Sequence, residues 1–238
     1  MDTSALVSAL FLATVSVGAI AAESTQRVVL PTDVVPIHYT LAVVPDAAHM
    51  SFTGSVQIDL DVKQATRQIQ LNAADLSFTK VSLSGMSDAP TVTFDSKQET
   101  ATLSFKTAVS AGHHVLSIDY AGKIYQHASG LFALDYDGVS GKKRALFTQF
   151  ENSDARRFVP SWDEPGVKST FTLTATVPAD EMALSNMPIA KTEKLGGNLA
   201  KVTFQQSPKM SSYLLFFGVG DFERIHRDVN GVDVGVVV

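Results

Sequence analysis

Ser55-Val56-Gln57-Ile58-Asp59-Leu60-Asp61-Val62 is the stretch that decides the fold class of this chain. Apolar side chains at the even positions alternate with polar side chains at the odd positions through the whole stretch. Because successive side chains of a strand point to opposite faces, a period of two predicts a β-strand with one buried face and one wet face.

The same alternation recurs along the chain, and turn residues separate its occurrences. It is found at residues 100–105, 116–120, 171–177 and 202–204, with turn signals at 87–90, 111–112, 196–198 and 230–231. The continuous apolar run at 213–219 predicts a strand buried on both faces. Helical periodicity is limited to short turns near 165–169 and 179–182. We therefore expect an all-β, antiparallel, sandwich-like domain.

Composition excludes several classes of function. The 238 residues carry a net charge of −5, and their lysines and arginines are scattered, which argues against a nucleic-acid partner. The chain has no cysteine, so both a disulfide framework and a cysteine-based zinc site are excluded. Its length suffices for one large β domain or two small ones.

The N-terminus has the features of an export signal. Residues 5–22 are uncharged and apolar, Ala19-Ile20-Ala21 has the small-x-small pattern of a signal-peptidase site, and polar residues follow from Glu23. We expect a signal peptide at 1–22, a mature domain at 23–238, a periplasmic or secreted location and no stable membrane association after cleavage. An uncleaved membrane anchor is the alternative, since the run is about long enough to span a bilayer.

The C-terminal end has a hairpin pattern. Asn230-Gly231 predicts the turn, and the apolar residues 232–238 predict the strand that leaves it. Because the sequence ends inside this expected strand, we interpret the chain as part of a longer protein.

The most informative chemistry lies in an irregular, charged segment between the predicted strands. Thr148-Gln149-Phe150-Glu151 is followed by Asp154-Ala155-Arg156-Arg157 and by Pro160-Ser161-Trp162-Asp163-Glu164-Pro165. If the chain is extended at Gln149 and Glu151, both side chains point to one side, where their oxygens can accept hydrogen bonds from an ammonium group. The alternative from residue types alone is that Glu151 pairs with Arg156 or Arg157.

The remaining charged residues of this segment have a structural interpretation. We expect Asp163 and Glu164 to cap a short helix that begins near Pro165. We expect Arg156 and Arg157 to hold the irregular backbone through bidentate hydrogen bonds, with a direct ligand role as the alternative.

The sequence lacks the motifs of a complete catalytic centre. It has no H-E-x-x-H, and none of its six histidines pairs with another at the i, i+4 spacing that places two imidazoles on one helix face. The adjacent His113 and His114 point to opposite faces in a strand. No G-x-S-x-G elbow or glycine-rich phosphate loop occurs either. We assign no catalytic residue and no metal ligand to this chain.

At the charged segment the sequence resembles the zinc aminopeptidase N family, in its N-terminal β domain. The resemblance covers nearly the whole chain after the signal segment and depends on several short matches in the family's order. They are Leu30-Pro31, Val35-Pro36, His38-Tyr39, Phe52-Thr53-Gly54, residues 69–73, Gly130-Leu131-Phe132, residues 148–171, residues 183–188, Met210-Ser211-Ser212-Tyr213-Leu214 and Gly220-Asp221-Phe222.

This resemblance implies an architecture and a role for the segment. A saddle-like β domain would pack on a thermolysin-like catalytic domain of the same parent chain, which holds the zinc. The Gln and Glu of the family's T-Q-x-E pattern line the active site, and the Glu binds the free α-amine of the peptide substrate. By position these are Gln149 and Glu151. The family's G-x-M-E-N and H-E-x-x-H segments have no counterpart here, so this chain alone is expected to bind no zinc and to be inactive.

Two other functions are compatible with the sequence. The first is a standalone β-sandwich binding or scaffold module without catalytic activity. The second is a non-peptidase relative that uses the fold as an assembly platform. The coding sequence downstream of Val238 distinguishes them, since G-x-M-E-N and H-E-x-x-H motifs there would indicate the enzyme.

Overall fold

The alternating segments of the sequence form strands in the computed structural model, which describes residues 29–138 and 141–238. Within these residues the strands are β1 (Val34–Asp46), β2 (Ser51–Val62), β3 (Thr66–Asn72), β4 (Ser77–Leu83), β5 (Thr91–Asp95), β6 (Thr100–Val109), β7 (Gly112–Lys123), β8 (Gly130–Gly138), β9 (Gly141–Gln149), β10 (Lys168–Pro178), β11 (Met182–Ser185), β12 (Ile189–Leu195), β13 (Leu199–Phe204), β14 (Met210–Ser211), β15 (Phe217–Gly220), β16 (Arg224–Val229) and β17 (Val232–Val237). Two 3-10 helices, Ala155–Arg157 and Ser212–Leu214, complete the described elements. The predicted all-β class is confirmed.

These strands form four sheets. The large sheet has the order β12-β13-β10-β1-β2-β7-β4, with β14 paired to the start of β10. The small sheet has the order β11-β15-β9-β8, while β3-β6-β5 and β16-β17 form a three-stranded and a two-stranded sheet. Pairing is antiparallel except between β1 and β10, which run parallel with His38 opposite Thr170. A parallel pair needs a long connection, and more than a hundred residues separate these two strands.

Strand β2 has the burial that its alternation predicts. Val56, Ile58, Leu60 and Val62 are each at most 1% exposed, whereas the polar residues between them are exposed or half-buried. The predicted turn at Asn230-Gly231 also forms, with positive φ at both residues, and joins β16 to β17.

An aromatic cluster joins the large sheet to the small one. Phe158, which follows the first 3-10 helix, is fully buried, and its ring centroid lies 5.4 Å from that of Phe52 in β2. On its other side Phe158 contacts Phe150, at 5.4 Å, and Phe217 of β15, at 6.4 Å. This cluster fixes both ends of the segment between Phe150 and Phe158 in the core.

Two local predictions are wrong. The apolar run at 213–219 is not one strand, because Ser212–Leu214 is a 3-10 helix and β15 begins only at Phe217. Apolar content alone does not distinguish a buried strand from another buried segment. No helix begins at Pro165 either: residues 165–166 form a turn, and β10 starts at Lys168. Lys168 and Ser169 instead pair with β14.

The predicted signal segment at 1–22 lies outside the described residues. Among the residues that the structure describes, no helix has the length and apolar character needed to cross a bilayer.

Candidate functional site

The two candidate binding residues stand at the end of β9. Burial alternates from Thr148 to Glu151: Thr148 and Phe150 are buried, whereas Gln149 and Glu151 are exposed. A hydrogen bond keeps the Thr148 side chain on the buried side of the strand: its Oγ1 accepts from the backbone N–H of Phe217 at 2.8 Å. The alternation agrees with the expectation that Gln149 and Glu151 share one side of the chain.

Glu151 opens a tight turn that returns the chain to the core. The backbone N–H of Asp154 donates to the carbonyl oxygen of Phe150 at 2.9 Å, which closes the turn around Glu151, Asn152 and Ser153. The peptide bond between Glu151 and Asn152 is cis. The carboxylate is thus carried on a short loop whose two ends are bonded to each other.

The carboxylate of Glu151 has no hydrogen bond or ion pair with any of the described residues. The alternative pairing with Arg156 or Arg157 does not form, because other acids occupy both guanidinium groups. An exposed carboxylate without a partner on a well-anchored turn is available to a ligand.

Arg156 is bound to a buried acid. Its Nε donates to Oδ2 of Asp163 at 3.1 Å, and its Nη2 donates to the Asp163 carbonyl oxygen at 3.1 Å. The Asp163 side chain is 1% exposed and accepts a further hydrogen bond from Ser212 Oγ at 2.5 Å. The expected capping of a helix at Pro165 by Asp163 is therefore wrong, because the carboxylate instead binds the partly buried guanidinium and the backbone N–H of Arg156.

Glu164 does not cap a helix either. Its Oε1 accepts a hydrogen bond from the backbone N–H of Leu30 at 3.0 Å, and its carbonyl accepts one from Val167 at 2.9 Å. Glu164 therefore ties the N-terminal end of the described chain to the turn before β10.

Arg157 binds three acids. Its Nε donates to Asp154 Oδ1 at 2.9 Å, its Nη1 to Asp75 Oδ2 at 3.0 Å and its Nη2 to Glu99 Oε1 at 2.5 Å. The second oxygen of Glu99 accepts from Arg156 Nη1 at 3.2 Å, so Glu99 bridges the two arginines. The arginines brace the segment as expected, but through hydrogen bonds to several different acids and not through the expected bidentate pairs.

Asp75 adds an electrostatic anchor to this brace. Tyr125 donates its hydroxyl to Asp75 Oδ2 at 2.6 Å, and Lys123 Nζ lies 2.9 Å from the same oxygen. The hydrogen bonds from Tyr125 and Lys123 hold the pKa of Asp75 below its usual value. Burial, followed by the hydrogen bond to Asp75, raises the pKa of Tyr125 to about 12.

The Pro160–Pro165 part of the segment is held against β3. The backbones of Asn72 and Ser161 exchange hydrogen bonds of 2.8 and 3.1 Å, and Asn72 Oδ1 accepts from the Asp163 N–H at 3.0 Å. The backbone N–H of Trp162 donates to the hydroxyl of Tyr39 at 3.1 Å. Trp162 is 2% exposed, so this part of the segment is structural and does not face a ligand.

The sequence did not reveal the acids that complete the brace. Glu99 and Asp75 are 58 and 82 residues away from Arg157, in strand connections that carry no recognisable motif. An acidic residue in a loop is common, so no local pattern could have identified them.

The described residues offer no metal centre. Within residues 29–138 and 141–238, no group of three or more His, Cys, Asp or Glu side chains is arranged to hold a metal ion. His113 and His114 diverge, since His113 Nε2 lies 3.1 Å from Asp59 and His114 Nε2 lies 2.9 Å from the Ser110 carbonyl oxygen.

Comparisons with known proteins point to one family. Residues 35–214 match the peptidase M1 N-terminal domain. The chain is 39% identical over 208 residues to an aminopeptidase N of Acetobacter pasteurianus, a match that covers 87% of this chain and 58% of the relative. It is 43% identical over 215 residues to aminopeptidase M1 of Arabidopsis thaliana, covering 87% of this chain and 24% of the relative. Aminopeptidase 2 of Candida albicans is 35% identical over 212 residues, with 89% and 23% covered. The chain thus spans between about a quarter and 58% of the length of these relatives.

Proposed function

Because the chain belongs to the peptidase M1 N-terminal domain family, we propose that it is the N-terminal β domain of an exported, zinc-dependent aminopeptidase. In this proposal it binds the free α-amine of a peptide substrate and leaves the bond cleavage to a catalytic domain of the same parent protein.

A single observation carries the assignment of the amine-binding group. Glu151 is an exposed carboxylate with no partner among the described residues, while the neighbouring acids are engaged by arginines. A substrate ammonium group is the partner that such a carboxylate accepts with a charge-assisted hydrogen bond. The amide oxygen of Gln149, also exposed, would accept a second N–H of the same group.

The consequence for the reaction is positional. When Glu151 and Gln149 hold the terminal ammonium group, the first peptide bond of the substrate lies at a constant distance from them. This restricts cleavage to the N-terminal residue. The zinc belongs to the catalytic domain in this proposal, because the described residues here do not fit a metal ion. There the zinc would supply an activated water.

Kinetics of the full-length protein test this assignment. Replacing Glu151→Gln removes the charge and keeps the size, so we expect kcat/KM for an aminoacyl anilide to fall by about 10- to 100-fold, as for loss of a hydrogen bond to a charged group. The melting temperature should stay unchanged, because Glu151 has no partner to lose among the residues that the structure describes. Glu193→Gln, a change at a surface glutamate of β12 paired with Lys191, is the matched control and should leave the kinetics unchanged.

The opposite pattern would overturn the assignment. If Glu151→Gln lowered the melting temperature while the folded fraction kept normal kinetics, Glu151 would have a structural role. Export has a separate test: the protein recovered from the periplasm or the medium should begin near Glu23.

A further inference from the structure

We propose that Asp154 is a positioning residue that fixes Glu151 and Gln149 relative to each other for amine recognition. This inference rests on the proposed function of that pair. It extends that function, because Asp154 would set the positions of the two amine-binding side chains without touching the substrate.

Asp154 holds the turn that carries Glu151 through its backbone. Its N–H donates to the Phe150 carbonyl oxygen at 2.9 Å, and its own carbonyl accepts from the Arg157 N–H at 3.1 Å. Asp154 therefore closes the turn on one side and begins the 3-10 helix Ala155–Arg157 on the other. A shift of Asp154 would move the backbone of Glu151 with it.

The side chain of Asp154 ties the same turn to β8. Its Oδ2 accepts a hydrogen bond from Ser129 Oγ at 2.9 Å, and Ser129 immediately precedes Gly130, the first residue of β8. Gly130 is in turn the pairing partner of Gln149. One carboxylate thus connects the turn of Glu151 to the strand position opposite Gln149.

Arg157 lies against both the Asp154 side chain and the start of β8 at Gly130. Its Nε donates to Asp154 Oδ1 at 2.9 Å, and its Cβ would lie 3.0 Å from a Cβ placed on Gly130, whose φ is +60°. Arg157 is itself fixed by Glu99 and Asp75. Asp154 is therefore held between a strand end and an arginine that has little freedom to move.

Charge explains why this arrangement leaves Glu151 available. Asp75, Glu99 and Asp154 supply three negative charges around Arg157, and Asp163 supplies one at Arg156. Every nitrogen of both guanidinium groups therefore already donates to one of these four residues. If Asp154 lost its charge, its pairing with the Arg157 guanidinium would weaken, and the turn that carries Glu151 would lose part of its anchor.

A double-mutant cycle in the full-length enzyme distinguishes positioning from plain stability. The changes are Asp154→Asn and Glu151→Gln, alone and together, with KM and kcat measured on an aminoacyl anilide. We expect Asp154→Asn to raise KM by about 10-fold with kcat changed by less than about 3-fold, since misplacement of a binding group weakens substrate binding. In the Glu151→Gln background the same change should add less than about 2-fold, because the group that it positions is already disabled.

The control and the second variant keep the test decisive. Asp135→Asn, elsewhere on β8, removes a carboxylate that also accepts two hydrogen bonds, both from Arg144, and should leave KM unchanged. If Asp154→Asn does not fold, Ser129→Ala removes only one bond to Asp154 and should raise KM in the same direction, by about 3-fold.

Each result has one meaning. An unchanged KM in Asp154→Asn, or an equal KM increase with and without Glu151, would overturn the positioning role while the role of Glu151 stands. An unchanged kcat/KM in Glu151→Gln itself would overturn the proposed function, and the positioning role with it.

Discussion

The rings of Phe150 and Phe158 lie with their centroids 5.4 Å apart and close the base of the charged loop, residues 151–157. Both are at most 2% exposed, so the loop leaves the core and returns to it at one point. The six polar or charged residues between them are exposed or half-buried, while the backbone of the loop is anchored in the core at both ends. The contact between Phe150 and Phe158 thus holds the charged loop in a fixed position on the domain.

Among the residues that anchor the charged loop, Phe158 should contribute most to the stability of the domain. Phe158→Ala removes ring contacts to Phe52, Phe150 and Phe217 and should lower the free energy of unfolding by about 3–5 kcal/mol. Phe94→Ala, at a ring that is 49% exposed, is the matched control and should cost clearly less. Urea denaturation measures both, and equal losses would contradict the central place of Phe158.

The pair of Asp163 and Arg156 should matter for stability and not for substrate binding. Asp163→Asn leaves the largely buried guanidinium of Arg156 without its main counter-charge, which should cost about 3–5 kcal/mol. Asp135→Asn, at a solvent-exposed pair with Arg144, should change the stability little, because water screens such pairs. Thermal unfolding of the two variants checks the difference, and a mild effect at Asp163 would mean that water or relaxation compensates Arg156.

Asp75 should make part of the stability depend on acidity. The pKa of its carboxyl is lowered in the folded state from the usual 3.8, chiefly by the hydrogen bonds from Tyr125 and Lys123, so the folded state binds the proton less readily than the unfolded state. Its stabilising contribution is therefore complete above the unfolded pKa and is lost as the pH falls through the lowered folded pKa.

Asp75→Asn should accordingly flatten the decline of the melting temperature between about pH 5 and pH 2. Asp88→Asn is the control, because that carboxylate is exposed and its ion pair with Lys106 Nζ is long, at 3.9 Å. A variant at Asp75 with the same acid profile as the unchanged protein would contradict the electrostatic anchor.

Gly130 should tolerate no side chain. Its φ of +60° is unfavourable for other residues, and an added Cβ would lie 3.0 Å from Arg157 Cβ and 3.2 Å from the ring of Tyr125. Gly130→Ala should therefore cost about 1–3 kcal/mol. Gly166→Ala, where an added Cβ meets no atom within 4 Å, should be close to neutral, and chemical denaturation compares the two.

The chain by itself should not be a metalloenzyme. After dialysis against zinc and a metal-free wash, elemental analysis should find far less than one zinc per chain, because no described group of side chains fits a metal. The same preparation should release no amino acid from an aminoacyl anilide. Turnover by a metal-free preparation would contradict the division of labour between this domain and a catalytic domain.

The strands and turns were largely predictable from the sequence, because they depend on local patterns. The alternation at Val56–Val62 was sufficient to predict β2, and Asn230-Gly231 was sufficient to predict the hairpin. Local patterns failed at residues 213–216 and at Pro165, where pairing and packing with distant segments decided the backbone.

The candidate site divides in the same way. Residue types and family resemblance were enough to single out Gln149 and Glu151 and to predict that Arg156 and Arg157 brace the loop. They could not predict that Glu151 lacks a partner among the described residues, because this depends on Glu99 and Asp75, which come from positions 58 and 82 residues away from Arg157. Charge pairing over such separations is decided only when the sheets bring these acids to the loop. The sequence therefore determined which charged groups the loop carries, and the tertiary structure decided which acids the arginines bind.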